Sequence, residues 1–153
     1  HTAVKFYEWI AARKFDQLAE LCTDDFAYYP DLHTEPLNLQ GFIDMESANM
    51  SPTNEYDMQL KFTIAEANRV ACYLTLDGIM QRDVYLGHEA KKGNRIYMDF
   101  MTMLKFRDGK ICEKRAKYNM VDVFQQAGCK LFDWDLRTSS TDSFACGNKI
   151  LLW

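Results

Sequence analysis

A chain of 153 residues, 48% apolar and 14% aromatic, carries enough material for one domain around one sizeable core. The formal net charge of −4 argues against a nucleic-acid backbone as the main partner, because that would call for a basic face. No segment approaches the roughly 20 apolar residues of a membrane span, and no secretory signal precedes residue 3. The chain therefore reads as soluble, either cytoplasmic or a mature form whose leader was removed, since His1-Thr2 lacks an initial methionine.

Ala3, Phe6, Tyr7, Ile10 and Ala11 recur at helical spacing, and Leu18, Leu21 and Cys22 form a second short face after Phe15-Asp16, so a helical hairpin opens the chain. Phe26-Ala27-Tyr28-Tyr29 is a β-prone run stopped by Pro30. A third helix is expected from Gly41, with Phe42, Met45 and Asn49 on one stripe. Met58, Leu60, Phe62 and Ile64 then alternate with Asp57, Gln59, Lys61 and Thr63, and a further apolar run follows from Val70 to Met80.

The clearest signal comes next. Ile96, Met98, Phe100, Thr102, Leu104 and Phe106 share one face at period 2, and Arg107-Asp108-Gly109-Lys110 joins them to a second alternating segment, Ile111 to Tyr118. Asp-Gly supplies the positive φ angles of a tight hairpin turn. A short apolar helix ending in Gln125-Gln126-Ala127-Gly128 closes the sequence of elements. Helices followed by a meander of four long antiparallel strands define an α+β domain whose helices cover one sheet face.

The tail has its own character. Leu131, Phe132, Trp134, Leu136, Phe144 and Ile150-Leu151-Leu152-Trp153 are too apolar to be left in water, so residues 129–153 are expected to dock on the domain or on a partner. Cys22, Cys72 and Cys112 fall in core-like segments, where a thiol behaves as a small apolar group, whereas Cys129 and Cys146 flank a loop and are candidates for a bridge. Asn49-Met50-Ser51 matches the glycosylation acceptor pattern, although such triplets recur by chance. His1, His33 and His88 show no ligand spacing and the cysteines form no CxxC pair. Glycine-rich phosphate loops and a nucleophile elbow are absent, so neither a metal nor a nucleotide cofactor is expected.

Several motifs together resemble the SnoaL-like polyketide cyclase branch of the nuclear transport factor 2-like fold. They are Phe106-Arg107-Asp108-Gly109-Lys110-Ile111 with Glu113, the ending Gln125 to Gly128, and the opening Lys14-Phe15-Asp16-Gln17-Leu18 to Asp24-Asp25-Phe26 with Gly41. The resemblance covers about residues 2–128. It implies a cone-shaped α+β half-barrel in residues 1–128, with three N-terminal helices packed on a curved, mostly antiparallel sheet of four to six strands. It implies little about the reaction, because the scaffold hosts cyclases, isomerases, dehydratases, epoxide hydrolases and non-catalytic domains.

The frame also implies which side chains face the cavity. With Phe106 inward, Met98, Phe100, Thr102 and Leu104 share its face, and across the turn so do Cys112, Lys114, Ala116 and Tyr118. Phe6, Met45, Asn49 and Tyr28 join them, giving a greasy wall with a few polar points suited to a flat or terpenoid-like molecule. Two departures set this chain apart. Ala116 stands where the polyketide cyclases carry an acid and Thr102 where they carry a histidine. Phe6 and Pro30 stand at the tyrosine and acid positions of the ketosteroid isomerases, with Asp31 one residue away.

Candidate catalytic groups are therefore of other kinds. Tyr28 and Tyr118 are placed to donate hydrogen bonds to a substrate oxygen; the plainer account is a core tyrosine with its hydroxyl at the rim. Lys114, if desolvated, serves as a base or Schiff-base amine; the plainer account is a lysine that snorkels to the mouth. Asp31 and His33 form a candidate acid/base pair at the cavity mouth, against a simple solvated loop. Asp77 and Asp99 point outward in this register, and His88 belongs to the surface loop from Arg82 to Asn94.

Two functions follow. One is a cofactor-independent isomerase, cyclase or dehydratase that moves protons on an apolar carbonyl compound. The other is a non-catalytic ligand-binding or assembly subunit of the same fold. A homodimer through the outer sheet face is compatible with both, and no membrane partner is expected.

Overall fold

The computed structural model describes residues 1–30, 35–51 and 53–130. Residues 131–153 of the C-terminal extension, and with them Cys146, lie outside the described residues, as do Asp31 and His33. The elements run α1 (Thr2–Ala11), a 3-10 helix (Phe15–Glu20), β1 (Cys22–Tyr29), α2 (Leu39–Met50), β2 (Thr53–Glu66) and β3 (Arg69–Met80). There follow β4 (Val84–Tyr85), β5 (His88–Glu89), β6 (Arg95–Arg107), β7 (Lys110–Lys117) and α3 (Met120–Ala127).

The five long strands form one sheet in the order β1-β7-β6-β3-β2. Neighbours are antiparallel except β1 and β7, which run parallel with Tyr28 opposite Lys114. The class is α+β, with helices packed against a curved, mixed sheet that does not close. The turn at Asp108 (φ 51°) and Gly109 (φ 78°) lets β6 fold onto β7, as the Asp-Gly pair predicts. The loop from Arg82 to Asn94 is less plain than expected, since Val84-Tyr85 and His88-Glu89 pair into a miniature hairpin.

Two sequence expectations shift. The third helix begins at Leu39 rather than Gly41, because Asn38 caps it by accepting a hydrogen bond from Gly41 N at 2.9 Å. In β2, Leu60 pairs with Leu74 but Phe62 pairs with Tyr73, so a bulge at Lys61 inserts one residue into the alternation. Met58 and Leu60 consequently pack toward the helices, while Phe62 and Ile64 are 51% and 63% exposed on the opposite face. There Phe62 stacks on Tyr73 with ring centroids 5.0 Å apart.

Two apolar clusters fill the concave side. The larger joins α1, the 3-10 helix, β1 and α2 to the sheet through Phe6, Ile10, Leu18, Phe26, Phe42, Leu74, Leu104 and Ile111. Phe42 is its hub, with ring centroids 6.0 Å from Phe6, 5.8 Å from Phe26 and 5.1 Å from Tyr28. The smaller gathers Met80, Tyr85, Ile96, Val123, Ala127 and Cys129 beneath α3. Cys22, Cys72, Cys112 and Cys129 are free thiols.

The ending Gln125 to Gly128 has a structural task. Beyond the last pairing of β6 with β7 at Met101, the Gln126 side chain replaces the missing strand: its amide oxygen accepts from Tyr97 N at 2.7 Å and its amide nitrogen donates to Tyr97 O at 2.9 Å. Gly128 (φ 80°) ends α3 in the left-handed conformation, and Lys91 N donates to Ala127 O at 2.8 Å. A Cβ on Gly128 would lie 3.1 Å from both Lys91 Cβ and Asn94 Nδ2, whereas one on Gly93 (φ 87°) would meet nothing. Gly128→Ala is expected to lower stability by about 1–2 kcal/mol through the backbone alone, as Gly93→Ala does, and further through crowding. Urea denaturation of both variants measures the difference; equal midpoints would show that the Lys91 to Asn94 segment yields freely.

Candidate functional site

Between the two apolar clusters the helices stand away from the sheet and leave a cavity of about 80 Å3. Its wall takes Tyr7 and Ile10 from α1, Tyr28 from β1, Met45, Glu46 and Asn49 from α2, and Tyr56 and Met58 from β2. Leu76, Tyr85, Ile96, Met98, Phe100, Lys114, Ala116, Tyr118 and Met120 complete it. Five tyrosines and four methionines in one wall make it apolar in bulk, with hydroxyls as scattered polar points.

The charged groups are Glu46 and Lys114. Glu46 is one helical turn beyond Phe42, so the contact that fixes α2 on the sheet also carries its carboxyl into the cavity. Lys114 is only 3% exposed. The alternation of β7 turns it inward between Tyr28 and Leu104 on the neighbouring strands. Its Nζ lies 4.4 Å from the centroid of the Tyr28 ring and 4.8 Å from that of Phe42. Ring faces are negative, so they partly replace the water the ammonium has lost. Among the described residues Lys114 takes part in no direct ion pair.

Their protonation equilibria move toward each other. Burial pushes the Glu46 carboxyl above its ordinary value, with the nearby Lys114 charge opposing it. Burial likewise pulls Lys114 down, against the pull of Glu46 and of the Cys72 thiol. The tyrosine hydroxyls are held protonated, since burial raises Tyr7, Tyr28 and Tyr56, and raises Tyr85 to about 12. The site thus contains one acid, one amine and several hydroxyl donors.

The residues expected at this site distribute as follows. Tyr28, Met45, Asn49, Met98, Phe100, Lys114, Ala116 and Tyr118 line the cavity. Leu104 and Thr102 point inward but lie deeper, Leu104 in the core and Thr102 hydrogen-bonded to the Tyr7 hydroxyl. Phe6 is fully buried against Phe42, and its neighbour Tyr7 presents the hydroxyl instead. Glu46, which the apolar pattern does not mark, sits four residues after Phe42 and three before Asn49, on the very stripe that places those two. On the outer face Asp77 pairs with Arg95, and Asp99 accepts from the Tyr73 hydroxyl at 2.9 Å. His88 is exposed and packs edge-on against Phe124.

Among the described residues no group of three or more His, Cys, Asp or Glu side chains is placed to hold a metal. No helix among them is long and apolar enough to cross a membrane.

A curved mixed sheet with helices on its concave side and a cavity between them defines a conical pocket fold. The chain belongs to the SnoaL-like polyketide cyclase family, whose pattern it matches over residues 1–127. Solved structures agree on the fold. AclR from Streptomyces galilaeus superposes with a TM-score of 0.71 at 17% identity, covering 83% of this chain and 92% of that one. A SnoaL-like polyketide cyclase from Agrobacterium tumefaciens gives 0.66 at 17% identity, covering 82% and 94%. A Catenulispora acidiphila protein with a ketosteroid isomerase-like fold, in complex with trimethylamine, gives 0.69 at 11% identity, covering 85% and 94%. No curated protein matches the sequence.

The raised Glu46 equilibrium has a consequence for stability. A carboxyl that binds its proton more tightly in the folded than in the unfolded chain supports the fold fully below the ordinary value of 4.5. That support is lost as pH climbs through the raised value. Wild-type Tm measured relative to Glu46→Gln is therefore expected to fall as pH rises from about 4.5 and then to level off. Parallel melting curves across this window would refute the buried carboxyl.

Proposed function

We propose that the protein is a cofactor-independent enzyme of the cyclase or isomerase type, acting by proton transfer on an apolar carbonyl compound held in the cavity. The observation that carries this reading is the presence of Glu46 and Lys114 in one apolar wall. In water both would be permanently charged and heavily hydrated; here burial raises Glu46 and lowers Lys114, the directions in which each gives up or takes a proton more readily in the cavity.

The division of labour follows from charge. In the ionised form of the pair, which the mutual attraction of the two groups supports against burial, the Glu46 carboxylate takes the proton α to the carbonyl, and the Lys114 ammonium stabilises the oxyanion that develops on the oxygen. Tyr28, Tyr118 and Asn49 orient the substrate by hydrogen bonds, and Met98, Phe100 and Ala116 cover its apolar part. The base thus comes from α2 and the electrophile from β7, while Thr102 supports Tyr7 from behind. Asp31 and His33 are a second candidate pair for the same transfer.

Exchange of the α-protons of cyclohexanone in D2O, followed by proton NMR, tests the chemistry without knowledge of the natural substrate. Wild type is expected to accelerate exchange, Glu46→Gln to reduce the acceleration about 10²–10⁴-fold, and Lys114→Met to reduce it roughly 10²–10³-fold. A ketone that binds to wild type yet exchanges no faster than in buffer would favour the ligand-binding subunit.

We further propose a homodimer through the outer sheet face, where the bulge in β2 turns Phe62 and Ile64 outward beside Tyr73. Tyr97 and Met101 on β6 extend this apolar stripe, at 58% and 48% exposure. A combined Ile64→Glu and Met101→Glu substitution is expected to shift the mass in analytical ultracentrifugation from dimer to monomer. A wild-type chain that sediments as a monomer at tens of micromolar would exclude it.

A further inference from the structure

We infer that Lys114 forms a covalent imine with an apolar aldehyde or ketone bound in the cavity, with Glu46 as its proton shuttle. The inference deepens the proton-transfer reading, since it rests on the same cavity and names the kind of compound that enters it.

The geometry supplies three grounds. First, Lys114 is an amine on a cavity wall rather than a structural ion-pair partner. It is 3% exposed, yet among the described residues its Nζ makes neither a salt bridge nor a hydrogen bond to another side chain, and its contacts are the faces of Tyr28 and Phe42. An ammonium carries three N–H donors and a protonated imine only one, so condensation reduces the number of buried donors in want of an acceptor. Second, the aromatic faces that stabilise an ammonium also stabilise an iminium, which is larger and more weakly hydrated. Third, Glu46 lines the same cavity as Lys114, so a proton donor and acceptor is at hand.

The step balances without any external redox partner. The neutral Lys114 amine adds to the carbonyl carbon, a C–N bond forms, and proton transfer gives a carbinolamine. Protonated Glu46 then gives its proton to the carbinolamine oxygen, the C–O bond breaks, and water leaves. The products are an iminium cation and a Glu46 carboxylate, formed from a neutral amine and a neutral acid. Burial favours that neutral starting pair, since it lowers Lys114 and raises Glu46. The carboxylate so formed stands in the same cavity as the iminium, ready to take an α-proton and yield an enamine.

The test uses the wild-type chain at neutral pH with benzaldehyde and sodium cyanoborohydride, which reduces an imine to a stable secondary amine. Proteolysis and mass spectrometry then locate the added benzyl group. Lys114 is expected to be labelled about tenfold faster than exposed Lys61, Lys91, Lys92 and Lys110, because a desolvated amine is less protonated at neutral pH. Label confined to those exposed lysines, with Lys114 unmodified or no faster, would overturn the inference. Glu46→Gln, checked for folding by circular dichroism, is expected to slow labelling at Lys114 while leaving the exposed lysines unchanged. Cyclohexanone exchange separates the two readings. Exchange without label at Lys114 leaves proton transfer standing and removes the imine, whereas label without exchange supports the imine and removes proton transfer as the activity.

Discussion

Phe42 holds the site together. Its ring meets Phe6 of α1, Phe26 and Tyr28 of β1, and the Lys114 ammonium of β7, so one side chain ties two helices to the first and last strands of the sheet. The cavity-lining residues of α2 hang from that contact: Met45, Glu46 and Asn49 enter the cavity because Phe42 fixes the rotation of the helix one turn earlier. The parallel pairing of β1 with β7 does the matching work on the sheet side, setting Tyr28 directly beside Lys114. A buried lysine is tolerable here because the aromatic core wraps around its charge instead of excluding it.

The cavity exists because the core is divided. One cluster fills the end built on α1, the 3-10 helix and β1, and another fills the end beneath α3, with the cavity wall taking Tyr7 and Tyr28 from the first and Tyr85 and Ile96 from the second. Gln126 then permits the sheet to end early on the β7 side, since its amide satisfies the Tyr97 backbone where no strand continues. Tyr118 follows the last β6-β7 pair, Met101 with Lys117, and lines the cavity wall together with the still-paired Ala116.

Much of this was legible in the sequence, for reasons that differ by element. Period-2 alternation and Asp-Gly reveal the β6-β7 hairpin because a strand buried on one face leaves no other pattern. The same alternation turns Lys114 inward. The bulge in β2 left no such mark, since no glycine or proline accompanies Lys61 and the one-residue slip shows only in the pairing with β3. Glu46 is hidden for a different reason: a carboxylate on a helix ordinarily faces solvent, and only the depth of α2 against the sheet reveals that its stripe faces a cavity. Phe6 and Tyr7 both lie on the buried stripe of α1, and helical spacing alone does not say which of two adjacent residues reaches the void. The parallel partnership of β1 with β7 joins segments some 90 residues apart, beyond the reach of any local pattern.

The cavity wall includes Met45, Met58, Met98 and Met120. A thioether chain turns about three bonds with small barriers and packs well against rings and alkyl groups alike, so these four side chains form a deformable lining on a rigid frame. Different guests can then be accommodated by rotamer changes of the methionines, while the Phe42 anchorage keeps Glu46 and Lys114 in register. Softness and charge thereby reside in different parts of the same cavity: exchange of a methionine for a stiffer β-branched residue would stiffen the lining and leave Glu46 and Lys114 where they are.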